Sequence, residues 1–216
     1  MKKIVVIFGG QSSEHDISCI SAANVIEGLD KTRYEIHMIG ITKEGHWLYV
    51  EDAASLSDGS WRESTQTAVV SPDRKRPGIW KIDGDHTEII PVDVAFPVLH
   101  GLYGEDGTIQ GLFELAGIPY VGCGVLASAA SMDKISTKIF ADRVGVRQAA
   151  YVTDICHDLS QVDETIREVE EKLGYPVFVK PSNAGSSKGV SKADNREELK
   201  KAIALAKEHD HRVLIE

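Results

Sequence analysis

Apolar and polar positions at the start of the chain follow a strand, helix, strand order. Residues 4–8 form a continuous apolar run that ends in Gly9-Gly10, and residues 34–41 form a second strand pattern. An uninterrupted apolar run is typical of a strand buried on both faces of a parallel sheet. The apolar positions that recur at helical spacing between these strands are Cys19, Ala22, Ala23, Ile26 and Leu29. The pattern predicts a βαβ unit.

Residues 46–90 change character, because short β-like pieces alternate there with Ser, Asp, Gly and Pro. This alternation favours an antiparallel excursion from the sheet. Residues 92–99 return to the buried-strand pattern, and a helix that begins near Asp106 and stops at Gly117 is expected after them. We therefore expect an N-terminal α/β domain with a parallel, Rossmann-like sheet over residues 1–122.

The remaining residues, 123–216, predict a second unit of α+β type. Asp194 and Glu197 are spaced as a capping pair for its last helix. Because the chain stops directly after a strand, we expect it to be the front part of a longer polypeptide. The elements expected in this unit are two helices, the second carrying Ile135, Ile139, Phe140 and Val144, then a strand at 151–153, a helix at 160–173, a strand at 177–180, a helix from Asp194 and a strand at 213–215.

Composition narrows the class of partner. The net charge of −9 and the pI near 5.4 argue against a nucleic-acid or membrane-surface partner, because both require a basic face. Three widely spaced cysteines offer neither a disulfide framework nor a metal knuckle, which favours a reducing, cytoplasmic location. The N-terminal apolar run of five residues is too short for a secretory or membrane segment.

One segment is suited to hold phosphate. The strand predicted at 177–180 delivers Lys180 into a loop that contains Gly185, two serines and Gly189, and the glycines are expected to turn backbone N–H groups toward an anion. The alternative is a simple surface turn. The loop does not match the Walker A sequence of nucleotide-binding loops. Residues 185–189 do match Gly-x-Ser-x-Gly, the nucleophile elbow of serine hydrolases. That elbow needs a helix directly after the serine, whereas residues 189–192 have an extended pattern.

Two further loops follow predicted strands, where ligands of open α/β sheets gather. In the first, Glu14 either favours the positive end of a helix dipole or pairs with a substrate ammonium, and no dinucleotide fingerprint is present. In the second, His100, Glu105 and Asp106 indicate either a metal site or a shaped loop in which Asp106 caps a helix and Glu105 holds His100. We interpret the other histidines near the N-terminus as structural, namely His15, His37, His46 and His86.

Lys134 stands at a predicted helix start, where a cation opposes the helix dipole. A solvated lysine is the ordinary interpretation of such a residue. Contact with phosphate is the alternative that explains the unfavourable position.

Together these segments resemble the D-alanine–D-alanine ligase family, ATP-grasp enzymes that make the terminal dipeptide of the peptidoglycan precursor. The resemblance covers essentially the whole chain. It implies a pre-ATP-grasp domain at 1–122 and a partial ATP-grasp domain at 123–216 without its C-terminal lobe. It rests on Phe8-Gly9-Gly10 with Ser13–Ser18, His100-Gly101 with Gly104–Gly107 and Gln110-Gly111, Met132–Lys134, and Val179–Pro181 with Gly185–Ser187.

The resemblance also implies a reaction, in which a D-alanine carboxylate attacks the γ-phosphate of ATP and a second D-amino or D-hydroxy acid then attacks the acylphosphate. It implies Mg²⁺ or Mn²⁺ bound by the absent lobe, and a homodimer. The implied catalytic residues are Glu14, His100 and Ser186. The implied substrate-binding residues are Glu14, Ser18, His100 and Glu105. The implied ATP-binding residues are Lys134, Lys180, Ser186, Ser187 and Glu216.

The sequence departs from the family at one informative point. Many D-alanine-adding members have an acidic residue just before Gly-Ser-Ser, whereas Ala184 stands here with Lys188 beyond the serines, which is closer to the pattern of the vancomycin-resistance ligases. The resemblance therefore leaves D-alanine, D-serine and D-lactate open as the acceptor. Without the C-terminal lobe we expect no activity, and a non-catalytic nucleotide-binding fragment of the same fold is the alternative function.

Overall fold

The computed structural model describes residues 1–216, which divide into two compact units, Met1–Ser128 and Ala129–Glu216. Each unit contains its own sheet. The assignment of a substrate-binding domain to residues 1–122 stays a prediction. None of the helices combines the length and the apolar character that crossing a bilayer requires.

A seven-stranded sheet organises the first unit, in the order β6-β5-β4-β3-β2-β1-β7. Its strands are β1 (Lys2–Gly9), β2 (Tyr34–Ile41), β3 (Trp47–Val50), β4 (Thr67–Val70), β5 (Ile79–Asp83), β6 (His86–Ile90) and β7 (Val94–Pro97). β1 pairs in parallel with β2 and β7, and the other neighbours are antiparallel. Residues 5–8 of β1 are at most 1% exposed, as a strand covered on both faces requires. The predicted βαβ unit and antiparallel excursion are confirmed.

Helices cover the two faces of this sheet. α1 (His15–Gly28) shares an apolar cluster with Val6 and Phe8, and α3 (Thr108–Ala116) shares one with Val5 and Ile7. The parallel strands β1 and β7 end at the same edge of the sheet, so the loops that follow them lie side by side there. The shorter elements of this part of the chain are α2 (Ser55–Asp58), a 3₁₀ turn (Ser60–Glu63) and α4 (Val125–Met132), which contains the division between the units.

The second unit is built on an antiparallel four-stranded sheet in the order β10-β9-β11-β8. Its strands are β8 (Val152–Asp154), β9 (Val177–Pro181), β10 (Ser191–Ala193) and β11 (Val213–Ile215). Its helices are α5 (Lys134–Arg143), α6 (Val162–Lys172) and α7 (Arg196–Lys207). The apolar stripes of α6 and α7 pack against the sheet, where Ile166, Leu199 and Ile203 are fully buried.

The structure corrects several predicted boundaries. α3 begins at Thr108, because Gly107 adopts a left-handed φ of 91° that no helix contains. β9 continues through Pro181, which pairs with Val213. The predicted capping pair of α7 is one residue too early, since the Asn195 side chain accepts the Glu198 N–H. β6 is a mostly exposed strand without apolar alternation, so the sequence pattern does not mark it.

The predicted apolar face of α5 is wrong at three of its four positions. Ile135 is buried, but Ile139, Phe140 and Val144 are 56%, 53% and 74% exposed. The inward face of the helix carries polar residues instead. The Lys134 ammonium donates to the Ala184 carbonyl oxygen, and the Lys138 ammonium contacts the Glu216 carboxylate. The helix therefore directs cations inward.

Candidate functional site

The loop after β1 needs glycine at its start. Gly9 and Gly10 have φ values of 85° and 93°, in the region that disfavours side chains. A Cβ on Gly9 would lie 2.2 Å from the Ile41 carbonyl oxygen, and that oxygen accepts the Gly10 N–H at 2.8 Å. The chain therefore turns closely over the end of β2 before it reaches Glu14.

Ser18 connects the two strand ends at this edge of the sheet. Its hydroxyl accepts the Gly9 N–H at 2.8 Å and donates to the Val98 carbonyl oxygen at 2.6 Å. The side chain is fully buried. The backbone engages the hydroxyl on both sides, so its observed contacts are structural, and the substrate-binding role that the resemblance implies for Ser18 stays a prediction.

Glu14 lies where the two loops approach each other. A Cβ on Gly101 would lie 2.9 Å from the Glu14 Oε2 atom, so the carboxylate faces the backbone of the loop that follows His100. The Glu14 N–H donates to the Ser12 hydroxyl at 2.9 Å, and the residue is half-buried. The first and second motifs of the sequence thus form one half-buried polar site.

Glu105 does not hold the His100 imidazole as the sequence suggested. The His100 Nε2 atom lies 3.3 Å from the Ser21 hydroxyl, and Glu105 accepts the Gly101 N–H at 2.7 Å. Glu105 therefore fixes the backbone one residue beyond His100. Asp106 accepts the N–H groups of Tyr103 and Thr108, which agrees with the shaped-loop interpretation of this segment.

His15 is structural, as expected, but it has a partner that the sequence did not reveal. The imidazole is fully buried, and its Nδ1 lies 2.8 Å from the Gly10 carbonyl oxygen. Because a carbonyl only accepts, Nδ1 carries the proton, and Nε2 accepts from Arg62 at 3.0 Å. Arg62 belongs to the 3₁₀ turn of the antiparallel excursion and thereby supports the Gly9-Gly10 turn from a distance of 47 residues along the chain. No local motif marks it.

In the second unit, Ser182 joins the end of β9 to the start of α5. Its carbonyl oxygen accepts the Lys134 N–H at 3.1 Å, and its hydroxyl accepts the Ile135 N–H at 3.2 Å. The Lys134 ammonium then donates to the Ala184 carbonyl oxygen at 2.6 Å. Lys134 is therefore attached to the base of the loop that the sequence proposed for phosphate.

Lys134 lies in an environment that disfavours its charge. Burial and, after it, the nearby charge of Lys180 lower the pKa of Lys134 below its ordinary value of 10.5. An anion between the two ammonium groups would remove this repulsion. The structure thus brings together two lysines that are 46 positions apart in the sequence numbering and that the sequence had marked separately.

The loop itself turns differently from the prediction. The left-handed residues are Ser186 and Ser187, with φ values of 49° and 57°, together with Gly189 at 68°. Gly185 is not among them. β10 follows the loop as an extended strand, so the helix that a serine-hydrolase elbow requires does not occur.

Glu216 directly follows β11 and faces two cations. One of its carboxylate oxygens contacts the Lys180 ammonium, and the other contacts Lys138. Burial alone would raise the pKa of Glu216, but hydrogen bonds from Lys138 and Lys180 outweigh it and hold the pKa below its ordinary value of 4.5. Sequence reasoning missed Lys138, although its position four residues after Lys134 places both on one helix face.

The acidic side chains do not gather into a metal site within the 216 described residues. No group of three or more His, Cys, Asp or Glu residues is arranged to hold a metal ion. The cationic cluster of the second unit, which consists of Lys134, Lys138 and Lys180, is instead suited to an anion.

Two family profiles match consecutive parts of the chain. The profile described as D-ala D-ala ligase N-terminus matches residues 3–123, and the profile described as D-ala D-ala ligase C-terminus matches residues 140–216.

Curated relatives cover the whole chain. It is 47% identical over 231 residues to the D-alanine--D-alanine ligase of Acetivibrio thermocellus, with 100% of this chain and 61% of the relative covered. It is 47% identical over 215 residues to that of Caldicellulosiruptor bescii, with 99% and 59% covered. The chain therefore spans about 60% of the length of these relatives.

Solved structures give the same result. The VanG D-Ala:D-Ser ligase from Enterococcus faecalis matches with a TM-score of 0.90 and 41% identity, over 99% of this chain and 62% of that one. The D-alanine-D-alanine ligase from Coxiella burnetii matches with a TM-score of 0.85 and 31% identity, over 100% of this chain and 63% of that one.

Proposed function

Because the chain belongs to the D-alanine–D-alanine ligase family, we propose that it supplies the donor-binding and part of the nucleotide-binding machinery of an ATP-dependent ligase. The ligase joins D-alanine to a second D-amino or D-hydroxy acid. The observation that carries the proposal is the placement of Lys134 and Lys180 at the base of loop 182–189, in a chain whose net charge is −9. A local cationic site in an acidic protein indicates a specific anionic ligand.

The second unit binds the phosphates of ATP in this proposal. Lys134 and Lys180 supply the charge, and Ser186 and Ser187 supply hydroxyl groups from an exposed loop. Lysine binds phosphate as a compact point charge, so two ammonium groups from different elements can follow a phosphate chain. Glu216 lies next to this cluster and is proposed to contact the nucleoside end of ATP.

The first unit binds the donor D-alanine in this proposal. Glu14 pairs with the substrate ammonium, since its carboxylate is half-buried and faces the Gly101 backbone. His100 lies beside the substrate carboxylate, and Glu105 keeps the backbone next to His100 in place. Ser18 contributes indirectly, because it fixes the ends of both loops.

The proposed chemistry proceeds in two steps. A carboxylate oxygen of D-alanine attacks the γ-phosphorus of ATP, the bond to the β-γ bridging oxygen breaks, and ADP leaves. The amino or hydroxyl group of the acceptor then attacks the acyl carbon, loses its proton, and expels inorganic phosphate. Both steps depend mainly on positioning and on neutralisation of phosphate charge, which lysines and oriented amides provide.

The Mg²⁺ or Mn²⁺ expected for the family is not assigned to residues of this chain. Its carboxylates do not form a cluster that fits a divalent cation. We therefore propose no metal ligands here and derive no step through the metal.

Phosphate release from ATP by the full-length protein tests this function. The protein is incubated with ATP, D-alanine as donor, and D-alanine, D-serine or D-lactate as acceptor. Release that depends on both the donor and one acceptor is expected, and the productive acceptor identifies the product. Nucleotide binding without phosphate release for any acceptor contradicts the proposal and favours a non-catalytic nucleotide-binding protein of the same fold.

A further inference from the structure

Two lysines contact one carboxylate in the second unit, and they differ in how firmly they are held. We propose that Lys138 is a positioning residue that keeps the Glu216 carboxylate in place while Lys180 exchanges that carboxylate for phosphate. The proposal rests on the proposed function, because it assigns to Lys180 a phosphate of ATP as the incoming partner.

Lys138 is anchored on several sides. Its ammonium contacts Glu216, donates to the Ala149 carbonyl oxygen at 3.3 Å, and lies 5.3 Å from the centre of the Tyr151 ring. Its side chain is 13% exposed. The segment that carries two of these partners is itself tied to α5, since Gln148 donates to the Lys138 carbonyl oxygen at 2.8 Å. Movement of the Lys138 ammonium would break its contacts with Glu216, Ala149 and Tyr151 together.

Lys180 is held by fewer contacts. Its ammonium has Glu216 as its hydrogen-bond and ion-pair partner, and its side chain is 27% exposed, twice the fraction of Lys138. It stands at the end of β9, directly before loop 182–189. The charge of Lys180 also disfavours that of Lys134, although the nearby carboxylates of Asp133 and Asp210 act in the opposite direction. Lys180 is therefore the cation that an arriving phosphate can recruit.

The Glu216 backbone is held by hydrogen bonds, and its two carboxylate oxygens contact two different lysines. Its N–H and C=O pair with Phe178 at 3.0 and 2.7 Å, so only the side chain can reorient. While Lys138 holds one carboxylate oxygen, Lys180 can leave the other without stranding a half-buried negative charge. If Lys138 lost its charge, Lys180 would be the only cation left for Glu216, and the carboxylate would compete with phosphate for it.

The test replaces Lys138 by a residue of similar length without charge. In the full-length protein, Lys138→Met is expected to raise the KM for ATP about tenfold, equivalent to about 1.4 kcal/mol, while kcat and the KM for D-alanine change less than about twofold. Lys138→Arg, which keeps the charge, is expected to restore most of the ATP affinity. Equal losses in the ATP and D-alanine KM values, without rescue by arginine, would overturn the proposal.

The chain offers a matched control. Lys81 resembles Lys138 in burial and in the type of its contacts, since it is 17% exposed, pairs with Glu51 at 2.6 Å and lies 4.7 Å from the centre of the Tyr49 ring, although Glu51 itself is exposed. It belongs to the first unit, on β5. Lys81→Met therefore removes a similarly buried, similarly paired lysine and is expected to leave the KM for ATP unchanged.

A double-mutant cycle shows whether Lys138 acts through Glu216. In a Glu216→Gln background, where no carboxylate can compete for Lys180, Lys138→Met is expected to change the ATP KM less than about twofold. The same tenfold loss in both backgrounds would mean that Lys138 acts independently of Glu216 and would overturn the proposal.

The failure of the proposed function can be distinguished from the failure of this inference. If the full-length protein releases no phosphate, ATP binding is measured by titration calorimetry instead. A tenfold weakening in Lys138→Met, absent in the Glu216→Gln background, supports the role of Lys138 without the ligase reaction. Undisturbed ATP binding in Lys138→Met overturns the inference alone, and the absence of any ATP binding overturns both.

Discussion

At the scale of single residues, three glutamates have different roles because their carboxylates contact different groups. The Glu14 carboxylate faces the backbone of Gly101, Glu105 accepts the N–H of the same residue, and Glu216 contacts two lysines. Glu105 stabilises its loop, because its carboxylate accepts a hydrogen bond from the main chain. Glu216 belongs to a charge cluster. Glu14 lies half-buried between two strand-end loops, where ligands of open α/β sheets bind.

Glu14→Gln tests this assignment with a side chain of the same size. Loss of the negative charge is expected to raise the KM for D-alanine on the order of 30-fold or more, since truncating a buried charged pair costs roughly 2 kcal/mol or more. The KM for ATP should not change. Steady-state kinetics on the full-length protein measure both values.

Glu27→Gln provides the control, because Glu27 is an exposed residue on the same helix, α1. It should behave as wild type. If Glu14→Gln weakens ATP and D-alanine equally, Glu14 is a structural residue of the loop and the assignment is wrong.

At the scale of elements, loop 182–189 depends on tight contacts at its end. Gly189 has a φ of 68°, and a Cβ at this position would lie 2.4 Å from the His209 Cδ2 atom and 2.8 Å from Pro181. The same end of the loop leads into β10, which pairs with β9. The loop therefore leaves and re-enters the sheet on adjacent strands, and only a glycine allows it to close against His209.

Gly189→Ala should destabilise the second unit by more than the left-handed backbone alone explains. Gly174→Ala is the matched control, since Gly174 has a φ of 73° but nothing within 4 Å of its Cβ position. We expect about 1 kcal/mol for Gly174→Ala from backbone strain, and a clearly larger loss for Gly189→Ala. Urea unfolding followed by circular dichroism measures both, and equal losses would show that His209 moves aside easily.

The start of α7 offers a second test at this scale. The Asn195 side chain accepts the Glu198 N–H at 3.0 Å, and Glu198 accepts the Asp194 N–H at 2.9 Å, which makes a reciprocal cap. Asn195→Ala is expected to lower the free energy of unfolding by about 1 kcal/mol. Asp194→Ala should cost less than about 0.5 kcal/mol, because its side chain contacts the exposed Lys192. The opposite order in urea unfolding would place the cap at Asp194.

At the scale of the whole molecule, the two units differ in whether their carboxyl groups of lowered pKa are exposed or buried. The carboxyl groups of the first unit with lowered pKa values, such as Asp16 and Glu51, lie at the surface. Asp133 of the second unit is buried. Burial would raise the pKa of Asp133, but hydrogen bonds from Ser136 and the charge of Arg212 bring it below its ordinary value of 3.8. A carboxyl group of lowered pKa stabilises the fold above its unfolded value and loses that contribution as the pH falls through the folded value.

We therefore expect acid to unfold the second unit first, below about pH 4. All three tryptophans, Trp47, Trp61 and Trp80, belong to the first unit, so their fluorescence reports that unit, whereas far-ultraviolet circular dichroism reports both. On acidification the dichroism signal should fall before the tryptophan emission changes.

Asp133→Asn should be less stable at neutral pH and should lose less additional stability below about pH 4, because the titrating group is gone. Asp158 also has a lowered pKa, but it lies at the surface, where solvent screens its interactions, so Asp158→Asn should unfold with acid nearly as wild type does. Coincident changes of both probes in wild type would contradict the assignment of the first acid transition to the second unit.

The sequence by itself determined which segments form the buried strands and which loops carry the candidate functional residues. A short continuous apolar run that ends in glycine is typical of a strand covered on both faces, and glycines at strand ends mark turns where a side chain would clash, as at Gly9. Four ordered motifs were enough to identify the family. These signals are local in the chain, and so they could be found without coordinates.

Only the tertiary structure decided which side chains meet. In the folded chain the Lys134 ammonium donates to the Ala184 carbonyl oxygen, and the Lys138 ammonium contacts the Glu216 carboxylate. Glu105 accepts the Gly101 N–H and does not bind the His100 imidazole. The Ser18 hydroxyl is buried between the ends of two strands. The tertiary structure also exposed three of the four apolar positions that the sequence predicted to be buried on α5. Such contacts join residues far apart in the chain, and their partners depend on how the sheet places strand ends and helix faces, which no local pattern of residues encodes.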